Sequence, residues 1–207
     1  MCSFLSALIL RNGDIVMDPE HTDSHEVLIA SLGLQDTGET IAGRSFVRVE
    51  FTPGDDIAAI SDLSTWRLRI DEESSPDWVD LDLIRSKLED RIRRMFVTDH
   101  RLLLLGGCWI LTGSAVVDKI VSARIVLMSD SSRIGKMSGS SRIGKMSGSS
   151  RIGEMLDSSR IVEMWDSSRI VEMWDSSQVG KMWGSSRIGK MSGSSRIVDN
   201  PTTPKEK

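Results

Sequence analysis

The chain of 207 residues contains no tyrosine, two cysteines and only five prolines. Cys2 and Cys108 stand far apart and form no CxxC pair, which excludes a disulfide framework and a zinc knuckle and fits a reducing compartment. There is no GxxxxGK[ST] and no GxGxxG, so the Gly106-Gly107 pair is not a phosphate loop. The apolar run at 102–111, LLLLGGCWIL, is about half the length a membrane-crossing helix needs. The opening MCSFLSALILRNG has no basic segment and no small-residue cleavage site, and reads as a strand rather than a signal peptide. These absences predict a cytoplasmic protein without a membrane span.

What is present is distributed unevenly. Residues 1–121 hold 12 Lys/Arg against 21 Asp/Glu, whereas residues 122–207 hold 14 against 9. An acidic front and a mildly basic back indicate two units with different surfaces. The basic excess is too small to argue for nucleic acid, which calls for a dense basic stripe.

The front half reads as an α+β head. Asn12-Gly13 between the apolar stretches FLSALILR and DIVMD predicts a two-residue hairpin in a type I′ turn, with positive φ at both central positions. Asp23 precedes Glu26 by three residues, a capping-box spacing ahead of a short helix that Gly33 stops. Residues 45–53, SFVRVEFTP, and 65–72, TWRLRIDE, alternate as half-buried antiparallel strands. The stretch 75–98 predicts the longest helix, capped by Ser75 or Asp77. Its stripe is Val79, Leu83, Leu88, Ile92 and Phe96, with acidic residues early and basic ones late. Residues 101–107, RLLLLGG, read as a buried strand closing the head.

From Ser122 the chain divides into nine-residue words: SARIVLMSD, then variants of SSRIGKMSG and SSRIVEMWD, ending in a truncated SSRIVDN. In an α-helix nine residues make 2.5 turns, so successive Ile residues would face opposite sides. In a straight strand an odd period also swaps faces at each word. The direction must therefore be reset once per word, and the Gly/Asp-Ser-Ser junction supplies turn residues. Short strands joined by turns and stacked in parallel make a β-solenoid. Position four (Ile) and position seven (Met) become interior ladders. They have opposite parity, so the strand must bend between them, with the Gly or Val of position five serving the bend. Position two, a Ser in nearly every word, becomes a small inward corner.

Two words per 18-residue coil would stack position six as Lys145, Glu163, Lys181, Asp199 on one face and Lys136, Glu154, Glu172, Lys190 on the other. One word per coil would stack Lys-Lys-Glu-Glu-Glu-Lys-Lys, with more like charges directly opposite, so two per coil is mildly favoured. The Arg row at position three, broken by Gln178, must lie on a solvated face, partly neutralised by Asp at position nine or Glu at position six. Abundant Ser and Gly offer disorder as the competing reading, but strictly placed Ile, Met and Trp are costly to leave in water. The expected organisation is an α+β head over 1–112, an all-β parallel β-solenoid of nonapeptide repeats over 113–199, and a polar tail over 200–207.

A head containing LRNGDIV, HTDSHE, FVRVEF and WRLRIDEE, followed by an SSRIVEMWD array, resembles a group of uncharacterised bacterial and phage proteins with nonapeptide arrays behind a small α+β head. The resemblance implies no established activity. The array is also similar, more loosely, to pentapeptide-repeat and calcium-binding nonapeptide solenoids. It lacks the five-residue period of the first and the Gly-Gly-x-Gly-x-Asp ligands of the second, so calcium is not expected.

Two constellations could carry chemistry. His21, Asp23 and His25 combine an i, i+4 histidine pair with a carboxylate, as in a metal or general-base site; the structural alternative is a helix cap. Trp165, Trp174 and Trp183 occupy position eight of three consecutive words, where Ser or Leu stands elsewhere. With Arg160 and Arg169 they form the candidate binding set, since aromatic patches anchor sugars, bases or protein partners. Their structural alternative is packing over neighbouring coils. Asp71, Glu72, Glu73 and Asp77 read as a solvated acidic turn.

The function expected from this pattern is non-enzymatic. A rigid array would present side chains to a protein or other macromolecular partner, without cofactor or metal, and self-association through the solenoid end or face would be open to it. The alternative is a metal-dependent, hydrolase-like head using His21, Asp23 and His25 on a solenoid scaffold.

Overall fold

A computed structural model of the chain describes residues 6–17, 24–35, 43–54, 59–72 and 74–199. It has an α+β head followed by a parallel β-solenoid of about six turns, and it separates into two compact units, Met1–Arg94 and Met95–Lys207.

In the head, strands β1 (Ser6–Leu10), β2 (Ile15–Val16), β3 (Phe46–Thr52) and β4 (Arg67–Ile70) form an antiparallel sheet in the order β2-β1-β3-β4. The β1–β2 connection is a three-residue loop rather than the expected type I′ turn. The Gly13 N–H donates to Leu10 O at 2.8 Å, and Leu10 N to Asp14 O at 2.9 Å. Only Gly13 has positive φ, at 83°, because Asn12 turns its side chain to accept from Asp14 N–H instead. Such a loop is a tight turn followed by one left-handed residue.

Helix α1 (His25–Ser31) is capped by Ser24, whose Oγ accepts from Val27 N–H. This is one residue later than the expected Asp23 cap, and Asp23 itself lies outside the described residues. Ser24 Oγ also donates to Glu26. Hydrogen bonding, from Glu26's own backbone N–H and then from Ser24, holds the Glu26 carboxyl below its usual range. On one face of the sheet Leu8 and Phe46 pack with Leu28 of α1. The opposite face buries Ile9, Val47, Val49 and Phe51, and the Phe51 ring lies 5.2 Å from Trp66.

Helix α2 (Leu81–Arg93) starts later than expected, at an Asp80 cap that accepts from Leu83 N–H. Its buried stripe is Ile84, Leu88 and Ile92. Leu83, assigned to the stripe from sequence, is half exposed at 49%, because the buried stripe steps by four residues through Ile84, Leu88 and Ile92, and Leu83 lies about 100° around the helix from Ile84. Arg85 reaches over the Phe51 ring and donates to Trp66 O at 2.8 Å. Lys87 donates to Gly13 O at 2.8 Å, tying the helix to the first hairpin. The acidic turn is not simply solvated. Glu72 is buried in ion pairs with Arg44 and Arg48 and also accepts from Arg48 N–H; Glu73 lies outside the described residues.

The solenoid begins with β5 (Phe96–Val97), β6 (His100–Leu105), β7 (Cys108–Leu111) and β8 (Val116–Val121). Pattern reading placed the first three of these with the head. They pair in parallel instead, β5 with β7, β6 with β8 and β7 with β9, where β9 is Arg124–Met128. Strand β6 is not buried as expected: Leu104 faces inward, while Leu102 is 72% and Leu105 67% exposed. It is the edge of its sheet, so nothing in the stack covers it from the N-terminal side.

The words then give β10 (Arg133–Ser138), β11 (Arg142–Met146), β12 (Arg151–Met155), β13 (Arg160–Met164), β14 (Arg169–Met173), β15 (Gln178–Met182), β16 (Arg187–Met191) and β17 (Arg196–Asp199). Alternate strands stack into a six-stranded sheet, β16-β14-β12-β10-β8-β6, and a seven-stranded sheet, β17-β15-β13-β11-β9-β7-β5. Partners are 18 residues apart, as Ile134 with Ile152 and Met146 with Met164. One coil therefore holds two words. Ladder partners occur at positions three, four, six and seven and skip position five, where the strand bends and turns both Ile and Met inward.

Burial follows from that bend. Ile125, Ile143, Ile152 and Ile170, and Met128, Met137, Met146, Met155, Met164 and Met173, are fully buried in one continuous core. Each such side chain contributes roughly 1.5–3 kcal/mol over exposure. In the edge strand β16, covered by β14 on one side only, Met191 is 40% exposed.

Candidate functional site on the solenoid corners and faces

Each corner is a turn over positions eight, nine, one and two. The N–H of position two donates to the carbonyl of position eight, as from Ser159 to Leu156 at 3.2 Å. The position-two Ser, fully buried in Ser132, Ser141, Ser150 and Ser159, donates its Oγ to that same carbonyl at 2.6–2.7 Å. A buried polar group without such a partner would cost about 1–3 kcal/mol, so Ser is the small side chain that can turn inward here.

Position nine has left-handed backbone, with φ of 57–59° at Asp130, Asp157, Asp166 and Asp175 and 65–69° at Gly148 and Gly193. Gly and Asp are the residues that accept this conformation most readily. Contrary to the expectation from sequence, the Asp side chains are not spent on the Arg row. Asp130, Asp157, Asp166 and Asp175 each accept, through Oδ2, the backbone N–H of position nine one coil earlier, on Gly113, Gly139, Gly148 and Asp157.

The three tryptophans do not form one patch. Alternate words lie on opposite sheets, so Trp165 and Trp183 share one corner and Trp174 occupies the other. Trp165 stacks on Trp183 with ring centroids 5.4 Å apart and planes 22° from parallel, and Lys145 lies 5.0 Å over the Trp165 ring. Trp174 instead sits under Lys190 at 4.6 Å. The indole N–H groups of Trp165 and Trp174 donate to Glu163 and Glu172 at 3.0 Å. Trp183 Nε1 is buried and has no hydrogen-bond partner among the described residues. All three side chains are half-buried, so packing over adjacent coils accounts for much of their surface.

The outer faces carry the charge. On the seven-stranded sheet position three runs Arg124, Arg142, Arg160, Gln178, Arg196, and position six alternates Lys145, Glu163, Lys181, Asp199 from β11 onward. On the six-stranded sheet position three runs unbroken from Arg133 through Arg151 and Arg169 to Arg187, and position six runs Lys136, Glu154, Glu172, Lys190. Among the described residues, none of Arg133, Arg142, Arg151, Arg160, Arg169, Arg187 and Arg196 has a carboxylate within ion-pair distance, and all are exposed. Arg160 and Arg169, singled out from sequence, lie on different sheets. The unbroken row was visible in the words only once alternate words are assigned to alternate sheets.

In the head, His21 and Asp23 lie outside the described residues. His25 is buried, and its Nε2 donates to Val49 O at 3.0 Å while Nδ1 lies 3.8 Å from Asp71. One ring nitrogen thus holds α1 to β3. Among the described residues no three His, Cys, Asp or Glu side chains are grouped as a metal set, and no helix is long and apolar enough to cross a membrane. Cys108 is half-buried, and burial pushes its thiol up to about 11, against the opposing pull of Arg124 and the Trp109 N–H.

The fold and its faces define a β-solenoid protein with an α+β head. Neither the family models, nor the curated proteins, nor the solved structures compared with it contain a match.

Proposed function

We propose that the protein is a non-enzymatic binding protein whose solenoid presents evenly spaced side chains to a macromolecular partner. The observation that carries this reading is the outward Arg residues of the two sheets from β10 onward, exposed and without carboxylate partners among the described residues, on a ladder whose interior is closed by Ile and Met. Parallel pairing holds neighbouring rungs at about 4.8 Å, so the row is ordered before a partner arrives and less ordering entropy opposes binding. Arg and Trp are also the residue types that dominate binding energies at interfaces, and the Trp165–Trp183 stack adds a flat contact at one corner.

The reading is tested by partner capture with the full chain against a chain carrying Trp165→Ser, Trp174→Ser and Trp183→Ser, the residue found at position eight elsewhere. Captured partner should fall at least about tenfold, the loss expected when aromatic hot spots are removed. Equal capture by both chains would remove the aromatic corners from the binding surface.

A further inference from the structure

The two faces of the solenoid are not equivalent. On the six-stranded sheet Arg151, Arg169 and Arg187 are consecutive ladder partners. With the hydroxyl-bearing Ser167 and Ser185 they line an open depression of about 200 Å³. Three guanidinium groups on adjacent rungs repel one another. Folding does not demand them, because Gln178 fills the same position on the other sheet between Arg160 and Arg196.

The carboxylates that could neutralise them are committed elsewhere. Glu154 pairs with Lys136 at 3.5 Å, Glu172 accepts from Trp174, and Asp166 accepts from Gly148 N–H at 3.0 Å. In the turns leading into these three strands, position nine is Gly148, Asp166 and Gly184, so only one carboxylate stands there. On the other sheet the turns leading into β11, β13, β15 and β17 hold Gly139, Asp157, Asp175 and Gly193. The depression thus combines uncompensated positive charge, hydroxyl donors and rungs at fixed spacing.

We propose that this depression is a binding site for tetrahedral oxyanions, the phosphate or sulfate groups of a multiply charged ligand. Arg151, Arg169 and Arg187 provide paired N–H donors and Ser167 and Ser185 provide hydroxyls. The guanidinium fork matches two oxygens of a phosphate or sulfate, which a point charge does not. A ligand with several such groups bridges successive rungs, so affinity rises with the number of linked groups. The site does not use the tryptophans, so its failure and the failure of the aromatic contact are separable.

The test is calorimetric titration of the full chain with inorganic tripolyphosphate, orthophosphate and a sulfated oligosaccharide at fixed low salt. Tripolyphosphate or the sulfated chain should bind more tightly than orthophosphate, and the tighter of the two identifies the source of the oxyanion. The variant R151Q/R169Q/R187Q should bind at least about tenfold more weakly. R11Q/R69Q/R94Q, with the same charge change on exposed head residues, should stay within about twofold of the parent. Replacing the first triad by Lys should give an intermediate loss. Far-UV circular dichroism verifies that each variant keeps its strands, and R169Q alone, weakening binding about threefold, serves if a triple variant does not. Absence of binding by the parent, or equal losses from the two Gln triads, would overturn the site, the second because it reports only diffuse charge. Unchanged binding by the Lys triad would overturn the forked geometry.

Discussion

The head and the solenoid achieve burial by opposite means. In the head each core residue is used once: Leu8 and Phe46 meet Leu28 on one face of the sheet, and Phe51 meets Trp66 on the other. In the solenoid one rule, Ile at four, Ser at two and Met at seven, is repeated until it fills the interior. A head contact has no second copy to take its place, whereas a solenoid rung has similar neighbours above and below. Stability in the array is therefore a sum of rung and neighbour terms, while the head behaves as a single cooperative core.

The sharpest way to break that contrast is a charge inside the ladder. Met146→Asp places an unpaired carboxylate where exposure is 0%, a change expected to cost more than about 4 kcal/mol. Limited proteolysis should then cut the array around residues 133–164, while the near-ultraviolet signal of Trp66 in the head persists. A single joint collapse of both units would refute the nearest-neighbour picture. Leu88→Ala is the counterpart in the head, opening a cavity under α2 at a residue 1% exposed. It should cost about 2–5 kcal/mol and lower only the head's transition in a thermal scan.

The smallest effect concerns Cys108 in the first coil. Its thiol, raised from 9.0 to about 11 by burial, keeps its proton in the folded state where the unfolded thiol has begun to ionise. The group's stability contribution is full below pH 9 and is lost as pH rises through 11. In a Cys2→Ser background, alkylation at pH 8 should be much slower for the folded than for the unfolded chain. Equal rates would mean that the first coil opens readily.

The sequence made the array legible because its signal is repeated. Nine residues fit neither a helix nor a straight strand, so the turn, the bend at position five and the 18-residue coil all follow from parity and charge alternation. The inward Ser at position two follows from size. The head was less legible at its edges. Ser24 rather than Asp23 caps α1, and Asp80 rather than Ser75 or Asp77 caps α2, because several capping residues stand side by side and only packing chooses among them. The stretch 101–107 looked like a core strand of the head because its leucines are apolar. Parallel pairing with β8 and an edge position leave most of them outside.

What the sequence determined by itself was periodic: that Ile and Met face inward, that Gly or Asp turns each corner, and that Arg faces out. These follow from side-chain size, polarity and backbone freedom at each letter of the word. What only the tertiary structure decided was which letters meet across coils. It separated Trp174 from the Trp165–Trp183 stack and committed each position-nine Asp to a backbone N–H. It also gathered Arg151, Arg169 and Arg187 on one face, since neighbours across a parallel ladder are 18 residues apart in the chain but one rung apart in space.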